Sequence, residues 1–341
     1  MVRNYLHQLV EDRHIPGAVL YISKNKETKF FQSFGSFLDK NNQKQLINQD
    51  TIFDVASLTK VMATLPSILL LASKKEIELE SSIHSFLPAF KNKDITINHL
   101  LQHISGLPAD LPFHDRNTQR DVMKEILDTN LVNTPGTTAL YSDLGMILLG
   151  KVIEKASGQQ LNVFTKENIF EPWGLYDTTF LLPDEKKQLA ASTEWYKDYY
   201  IQGDVHDEKA FQLSGVSGSA GVFSTAKDVA IFASKWLYPV EQDLIPQDFL
   251  REAATHRQNN RGLGFEVWSG AGDSLSIGEL WPIGSFGHTG FTGTSVWMSP
   301  SEKLAVVFLT NAVHFGRETA IKKIRKQLHS FIYSAYIANP L

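Results

Sequence analysis

The sequence of 341 residues contains no cysteine, which excludes disulfide bridges, thiolate zinc sites and cysteine nucleophiles. It also lacks an excess of basic residues, because 33 Lys and Arg oppose 37 Asp and Glu and leave a formal net charge of -4. Nucleic-acid binding usually needs a basic surface, so we expect no nucleic-acid partner. The remaining composition, 43% hydrophobic and 21% charged, is that of a globular protein with a large core.

Long hydrophobic runs are scarce as well. The N-terminal stretch M-V-R-N-Y-L-H-Q-L-V-E-D-R-H has no uninterrupted apolar core of the kind found in a signal peptide. The most apolar run, Val61 to Ala72, is too short to span a bilayer and contains Pro66, so it predicts a buried helix. As written, the sequence predicts a cytoplasmic protein without a membrane span, and an exported form that has lost its leader is the alternative.

Strand signals lie at both ends of the chain and helix signals lie in the middle. The segments G-A-V-L-Y-I-S and K-F-F-Q-S-F-G, joined by K-N-K-E-T, predict a hairpin, and strand patterns return towards the C-terminus. Between them, helix-length apolar segments are separated by proline and glycine breaks. We therefore predict an α/β (α+β) protein with an α/β lobe from residues 1–56 and 205–341 and a mainly helical lobe from residues 57–204. The cleft between lobes is the expected place for a small-molecule site.

The last segment, Glu318 to Ile337, predicts an amphipathic helix, with its basic residues elsewhere around the helix than its apolar stripe. The apolar positions are Ile321, Ile324, Leu328, Phe331 and Ile332, and the basic positions are Lys322, Lys323, Arg325 and Lys326. Packing of the apolar stripe on the sheet is the favoured interpretation. A helix on a membrane surface is the alternative.

The pattern Ser-x-x-Lys occurs three times, so it does not identify a nucleophile by itself. Ser23 and Lys26 fall at the predicted hairpin turn, where neither residue begins a helix. The pair at Ser224 and Lys227 falls at the start of a predicted helix, where helix capping explains it.

Ser57 and Lys60 lie where strand and loop signals give way to a helix. A helix N-terminus presents unpaired N–H groups and a partial positive charge, and the N–H of Ser57 itself can contribute to an oxyanion hole. Lys60 lies one turn later on the same face. If it is desolvated and close to other cations, it can lose its proton near neutral pH and accept one from serine. An N-capping serine beside a solvated lysine is the other interpretation.

Two further motifs favour the interpretation of Ser57 as a nucleophile over that of a helix cap. Tyr-Ser-Asp at residues 141–143 precedes an apolar helix, where Ser142 or Asp143 alone would suggest only a helix cap. His-Thr-Gly at residues 288–290 lies in a glycine-rich stretch between predicted strands. Together and in this order, the three motifs resemble those of the penicillin-recognising serine hydrolases. The likeness is strongest to the branch of class C β-lactamases, low-molecular-weight penicillin-binding proteins, D-aminopeptidases and related esterases.

The resemblance covers essentially the whole chain, including L-L-Q-H-I-S-G-L-P, D-V-H-D and G-V-S-G-S-A-G-V-F-S-T. It implies a β-lactamase-like fold, an antiparallel sheet flanked by terminal helices with an inserted helical lobe. Ser57 would be the nucleophile, Lys60 its proton-relay partner, and Tyr141 the general base and acid, with a pKa lowered by cations around it. The N–H groups of Ser57 and Phe291 would form the oxyanion hole, and Gly290 would let the strand approach the substrate.

Two departures from the family pattern bear on the substrate. Asp143 stands where the family often has Asn, and an ionised carboxylate only accepts hydrogen bonds, so it would repel a substrate carbonyl and stabilise protonated Lys60. His288 stands where Lys is frequent, before Thr289 and Gly290, and it is mostly neutral near pH 7. These supporting positions favour an ester, an amide or a peptide over efficient β-lactam hydrolysis.

The resemblance calls for no cofactor and no metal, although D-V-H-D contains metal-ligand side chains at Asp204, His206 and Asp207. A loop that shapes the cleft is the favoured interpretation of that segment. The expected partner is a small-molecule or peptide substrate. The alternative function is an inactive cleft protein that binds peptidoglycan fragments or another protein.

Overall fold

A computed structural model describes residues 1–272 and 275–338 of the chain, so the last residues of the predicted α/β lobe lie outside the described part. The strands are β1 (Gly17–Lys24), β2 (Glu27–Leu38), β3 (Lys44–Leu46), β4 (Phe53–Asp54), β5 (Trp195–Tyr196), β6 (Tyr199–Tyr200), β7 (Phe223–Ser224), β8 (Glu266–Val267), β9 (Phe286–Thr289), β10 (Ser295–Ser299) and β11 (Leu304–Thr310). The α-helices are α1 (Val2–Glu11), α2 (Leu65–Ser73), α3 (Ile83–Phe86), α4 (Ile97–Leu101), α5 (Val122–Asp128), α6 (Asp143–Ser157), α7 (Leu161–Thr165), α8 (Glu171–Trp173), α9 (Asp184–Lys187), α10 (Glu208–Gln212), α11 (Ala226–Leu237), α12 (Gln247–Ala253) and α13 (Ile321–Tyr333). Short 3-10 segments are Ala56–Leu58 and Ala312–Phe315, and π segments are Lys60–Thr64, Lys166–Phe170 and Ser334–Ala338.

Within the described residues, seven strands form one sheet in the order β3-β2-β1-β11-β10-β9-β8. The N-terminal hairpin is joined to the C-terminal strands by antiparallel pairing of β1 with β11, in which Ala18 faces Thr310. The predicted antiparallel sheet assembled from both ends of the chain is therefore confirmed. The lobe boundaries at 56/57 and 204/205 stay a prediction.

The two faces of the sheet are covered by different helices. One face packs against α1 and α13, where Ile324 and Leu328 join Val306 and Phe308 in a buried cluster. The apolar stripe of α13 thus packs on the sheet, as expected. Arg325 departs from the expectation, because it is buried rather than exposed with its lysine neighbours, and only 4% of its surface is accessible.

The other face of the sheet and the helical layer share one core. Val307 of β11 lies in the same buried cluster as Leu69 of α2, Leu148 of α6 and Phe232 of α11. A single core of this kind fixes the sheet and the helices relative to each other, which is needed if side chains from both are to meet at one site.

The helix that follows β4 runs continuously from Ala56 to Ser73, because 3-10 and π turns precede α2. Its 18 residues are apolar and long enough to cross a membrane, so the run is longer than the sequence pattern indicated. However, 83% of it is buried inside the protein, as a core helix would be. Pro66 is the second residue of α2, which directly follows the π turn Lys60–Thr64, so the irregular part of the helix coincides with the residue that has no N–H to donate.

We expect Leu148→Ala to reduce the free energy of unfolding by about 2–5 kcal/mol, because Leu148 is fully buried in α6 and truncation leaves a cavity. Urea denaturation followed by circular dichroism measures the change. The control is Leu46→Ala, since Leu46 is 76% exposed and should change the value by less than about 0.5 kcal/mol. Equal effects of the two substitutions would contradict the placement of α6 in the core.

Candidate active site

Ser57 and Lys60 lie in the first turns of the helix after β4. Lys60 Nζ donates a hydrogen bond to Ser57 Oγ at 2.7 Å and another to the backbone carbonyl of Ser219 at 2.7 Å. The lysine side chain is fully buried, whereas Ser57 is partly exposed. The pairing of β4 with β7 brings the segment before Ser57 next to the segment after Ser219. Ser57 therefore contacts a buried ammonium group and is itself still partly accessible to solvent.

The backbone before Ser57 adopts a conformation that is unusual for its residue type. Ala56 has a φ of +47°, in the left-handed region that L-residues rarely enter. Asp54 stabilises this turn, because its carboxylate accepts the N–H of Ala56 at 2.8 Å and the N–H of His206 at 2.7 Å. Burial raises the pKa of the Asp54 carboxyl, and these two hydrogen bonds oppose the increase.

The D-V-H-D residues make contacts with other parts of the fold. Asp204 pairs with Lys187 at 3.2 Å, His206 Nε2 lies 3.0 Å from Glu194 Oε2, and Asp207 caps the N-terminus of α10. Across residues 1–272 and 275–338, no group of three or more metal-ligand side chains is arranged to hold an ion. These contacts join the segment to the turn before Ser57, through the N–H of His206, and to α10, through Asp207.

Asp143, the first residue of α6, is the anionic partner of Lys60, with Oδ1 2.8 Å from Lys60 Nζ. Burial acts to lower the pKa of Lys60, but Asp143 and Tyr141 raise it above its usual value. Loss of a proton near neutral pH was expected only if Lys60 lies close to other cations, and that condition is not met here, because its nearest charged neighbour is an anion. The pairing of Asp143 with protonated Lys60 is as expected.

Asp143 also contacts a second buried lysine, Lys209, which the sequence motifs did not identify. Lys209 Nζ lies 3.6 Å from Asp143, 2.9 Å from Asp110 and 3.2 Å from Asp207. Burial acts to lower the pKa of Lys209, but the three carboxylates raise it well above its usual range. Burial likewise acts to raise the pKa of Asp143, but Lys60 and Lys209 hold it below its usual value, so this carboxylate stays ionised.

Tyr141 lies among two cations and two histidines. The centroid of its ring is 5.2 Å from Lys60 Nζ and 5.2 Å from the guanidinium carbon of Arg261. The ring centroids of His103 and His288 are 4.7 Å and 5.9 Å away. Burial raises the pKa of Tyr141 and Asp143 adds to the increase, whereas the charge of Lys60 and hydrogen bonds with Lys60 and Ser57 oppose it. The predicted lowering is wrong, because loss of water around the phenolate outweighs attraction by Lys60.

His288 presents a hydrogen-bond acceptor to the site. Its Nδ1 lies 2.8 Å from the carbonyl oxygen of Thr289, which only accepts, so this contact assigns the proton to Nδ1. Nε2 is then the acceptor, and it is buried without a hydrogen-bond partner within the described residues. Burial, with Lys60 and Arg261 nearby, lowers the pKa of His288 to about 3. The His288 side chain of the third motif is therefore neutral at physiological pH.

His103 has the opposite tautomer, and sequence analysis missed its contact with Tyr141. Its Nδ1 accepts the N–H of Ser142 at 3.2 Å, so Nε2 carries the proton and, in the described part of the chain, donates to no partner. Burial lowers the pKa of His103 well below its usual value, assisted by Arg261. Ser142 lies at the N-cap position of α6, but its hydroxyl donates to the carbonyl of Pro108 at 2.7 Å and makes no capping hydrogen bond.

The two expected oxyanion donors remain available as donors. The N–H of Ser57 is in the first turn of its helix, where no intrahelical acceptor exists. The N–H of Phe291 donates to no acceptor among the described residues. Gly290 is required for packing inside the protein, since a Cβ there would lie 2.2 Å from Thr294 Oγ1 and 2.5 Å from the carbonyl oxygen of Val55. Approach of this strand to a substrate stays a prediction.

We expect His288 to remain neutral, with its proton on Nδ1, down to about pH 4, because burial and two nearby cations disfavour the imidazolium form. Nitrogen chemical shifts of histidine-labelled protein between pH 4 and 8 measure this, and comparison with His288→Gln assigns the signals. Titration of this imidazole with a midpoint near 6.5 would contradict the assignment.

Comparison with known proteins identifies the family of this chain. Residues 2–329 match the family model described as Beta-lactamase. A putative D-alanyl-D-alanine carboxypeptidase of Escherichia coli O157:H7 is 30% identical over 347 residues, covering 89% of this chain and 80% of the relative. An N-acetylmuramyl-L-alanine amidase of Bacillus subtilis (strain 168) is 30% identical over 353 residues, covering 88% and 78%.

Solved structures show the same fold. An octameric penicillin-binding protein homologue from Pyrococcus abyssi superposes with a TM-score of 0.77 at 20% identity, covering 99% of this chain and 77% of that protein. At 20% identity this likeness shows the fold alone. Membership of the family is shown by the family model, which covers nearly the whole chain. The protein is therefore a member of the beta-lactamase family, with the mixed α/β fold of the penicillin-binding protein homologues.

Proposed function

We propose that this protein is a serine hydrolase that acts through an acyl-enzyme on Ser57. The observation that carries the proposal is the 2.7 Å hydrogen bond between Lys60 Nζ and Ser57 Oγ, beside the buried ion pair of Lys60 with Asp143. A binding module has no physical need for a serine hydroxyl held against a buried lysine. A serine nucleophile does need this arrangement, because an adjacent group has to take up the proton of its hydroxyl.

In the proposed reaction, Ser57 Oγ attacks the carbonyl carbon of the substrate while its proton passes to the pair formed by Lys60 and Tyr141. The N–H groups of Ser57 and Phe291 stabilise the developing negative charge on oxygen. Tyr141 returns a proton to the leaving group, and water then hydrolyses the acyl-enzyme. Because Asp143 favours protonated Lys60 and burial favours neutral Tyr141, the pair must first release a proton before it accepts one from Ser57.

The substrate we propose is an ester, an amide or a peptide rather than an efficiently hydrolysed β-lactam. His288 is a neutral acceptor at the position where a lysine would attract a carboxylate. Asp143 is ionised and only accepts hydrogen bonds, so it offers nothing to a substrate carbonyl. The relatives named as carboxypeptidase and amidase support an amide or peptide bond as the one that is cleaved.

One cation near the site supports a substrate that carries a carboxylate. The guanidinium carbon of Arg261 lies 5.2 Å from the centroid of the Tyr141 ring, and Arg261 lines a cavity of about 480 Å³ with His256 and Asn259. Its Nη1 forms no hydrogen bond within the described residues, and the carboxylate of Glu266 is 3.8 Å away. A guanidinium group can bind a carboxylate through two parallel hydrogen bonds, so Arg261 would supply the carboxylate contact that neutral His288 does not, for a peptide with a free C-terminus.

We expect intact-protein mass spectrometry to detect a covalent adduct after incubation with a fluorophosphonate or a short-chain activated ester, and no adduct on Ser57→Ala. Benzylpenicillin, as a third reagent, tests whether the site also reacts with a β-lactam. The matched control is Ser23→Ala, which removes the serine of another Ser-x-x-Lys pattern and should keep the adduct. If folded wild-type protein reacts with none of the three, the inactive cleft protein is the better account.

We expect kcat/KM for an activated ester to rise with pH above neutrality, because deprotonation of the pair of Lys60 and Tyr141 supplies the proton acceptor. Asp143→Asn removes the anion that raises the pKa of Lys60, so the ascending limb should move to lower pH by roughly one to three units. The control Asp128→Asn changes an exposed carboxylate of α5 and should leave the limb in place. An unshifted limb in folded Asp143→Asn would contradict this account of the proton transfer.

A further inference from the structure

Arg325 is a buried cation that the reaction described above does not use. It lies on α13 with 4% of its surface exposed, and within residues 1–272 and 275–338 it forms no ion pair with a carboxylate. Burial lowers its pKa to about 10, so it is still charged at neutral pH. A buried charge without a counter-ion is costly unless polar groups surround it, so the groups that it contacts determine what it does.

Those groups are backbone carbonyls of a single loop. Arg325 Nη2 donates to the carbonyl oxygens of Gly290 at 2.5 Å and Thr294 at 3.0 Å, and Nε donates to that of Gly293 at 3.2 Å. The loop joins β9 to β10 and contains Phe291, whose N–H is the second proposed oxyanion donor. The guanidinium group therefore binds the rear of the loop that would complete the oxyanion hole.

The front of the same loop is bound to the segment that leads into Ser57. Thr292 Oγ1 donates to the carbonyl of Asp54 at 2.8 Å, and Thr294 Oγ1 donates to the carbonyl of Val55 at 3.0 Å. With Arg325 on the other side, the loop is fixed from two directions. The distance between the N–H of Ser57 and the N–H of Phe291 depends on these contacts.

The contact of Arg325 with Gly290 also determines where the N–H of Phe291 points. The carbonyl of Gly290 and the N–H of Phe291 belong to one peptide group, and the described backbone has no cis peptide bond. In a planar trans peptide the oxygen and the amide hydrogen point in opposite directions, so binding of the oxygen by Arg325 turns the hydrogen away from α13. A cation bound at the oxygen also polarises the peptide and strengthens its N–H as a donor.

We propose that Arg325 is a positioning residue for the oxyanion hole. Through the Gly290–Phe291 peptide it aims the N–H of Phe291 at the substrate oxygen and strengthens that donor. This inference rests on the proposed acyl transfer at Ser57. It assigns a function in turnover to a residue that lies on the opposite side of the loop from the reacting atoms.

The experiment compares an activated ester with its thionoester, in which sulfur replaces the carbonyl oxygen and accepts hydrogen bonds weakly. The ratio of kcat/KM for the ester to that for the thionoester therefore reports the strength of the oxyanion donors. We expect Arg325→Met to lower this ratio by about tenfold to a hundredfold, somewhat less than the loss of a whole donor. Arg325→Lys keeps the charge but loses the planar fork that reaches several carbonyls, so its ratio should fall by less.

Lys323→Met is the matched control, because Lys323 is an exposed cation on the same helix, and its ratio should equal that of the wild type. Thermal unfolding followed by circular dichroism verifies that each variant is folded, and if Arg325→Met is not, Arg325→Lys carries the test. A wild-type ratio in a folded Arg325 variant, with both substrates slowed equally, would overturn the inference and leave Arg325 a purely structural role. Failure of the wild type to react with either substrate would instead contradict the proposed function itself.

Discussion

The site depends on the burial of one charge, the ammonium group of Lys60. An ammonium removed from water needs hydrogen-bond acceptors and a counter-ion, and here they come from its own helix, through Ser57, and from two distant segments, through Ser219 and Asp143. Satisfying this charge therefore brings the first turn after β4, the glycine-rich segment and the start of α6 together. Lys209 also contacts Asp143 and helps to keep that carboxylate ionised, so positive and negative charges alternate from Lys209 through Asp143 to Lys60 beside the proposed nucleophile.

Much of the fold and the motif residues could be predicted because their signals are local. Strand-length apolar segments identified the strands at both ends, and the resemblance to the family implied that they form one antiparallel sheet. Ser57, Tyr141 and His288 each lie at the boundary of a secondary-structure element, within short segments that resemble family motifs. Their positions in the chain were therefore visible in the sequence, and the structure brings all three to the surroundings of Lys60.

What the sequence could not provide is the distance between groups that are far apart in the chain. Arg325 looks like its exposed lysine neighbours on α13, and only the folded structure places it under the loop that carries Phe291. The lowered pKa expected for Tyr141 was wrong for the same reason, because the burial that raises it is not encoded in motif spacing. The pairing of protonated Lys60 with Asp143 was expected from the motif, and the structure adds the distance of 2.8 Å.

The central claim is that the buried Lys60, the start of its helix and the loop containing Phe291 together form a site for acyl transfer. The most direct measurement is a crystal structure of protein treated with a fluorophosphonate. We predict a bond from phosphorus to Ser57 Oγ, with the phosphonyl oxygen about 2.7–3.1 Å from the backbone nitrogens of Ser57 and Phe291. An unmodified Ser57, or a phosphonyl oxygen directed into solvent away from both nitrogens, would contradict the account.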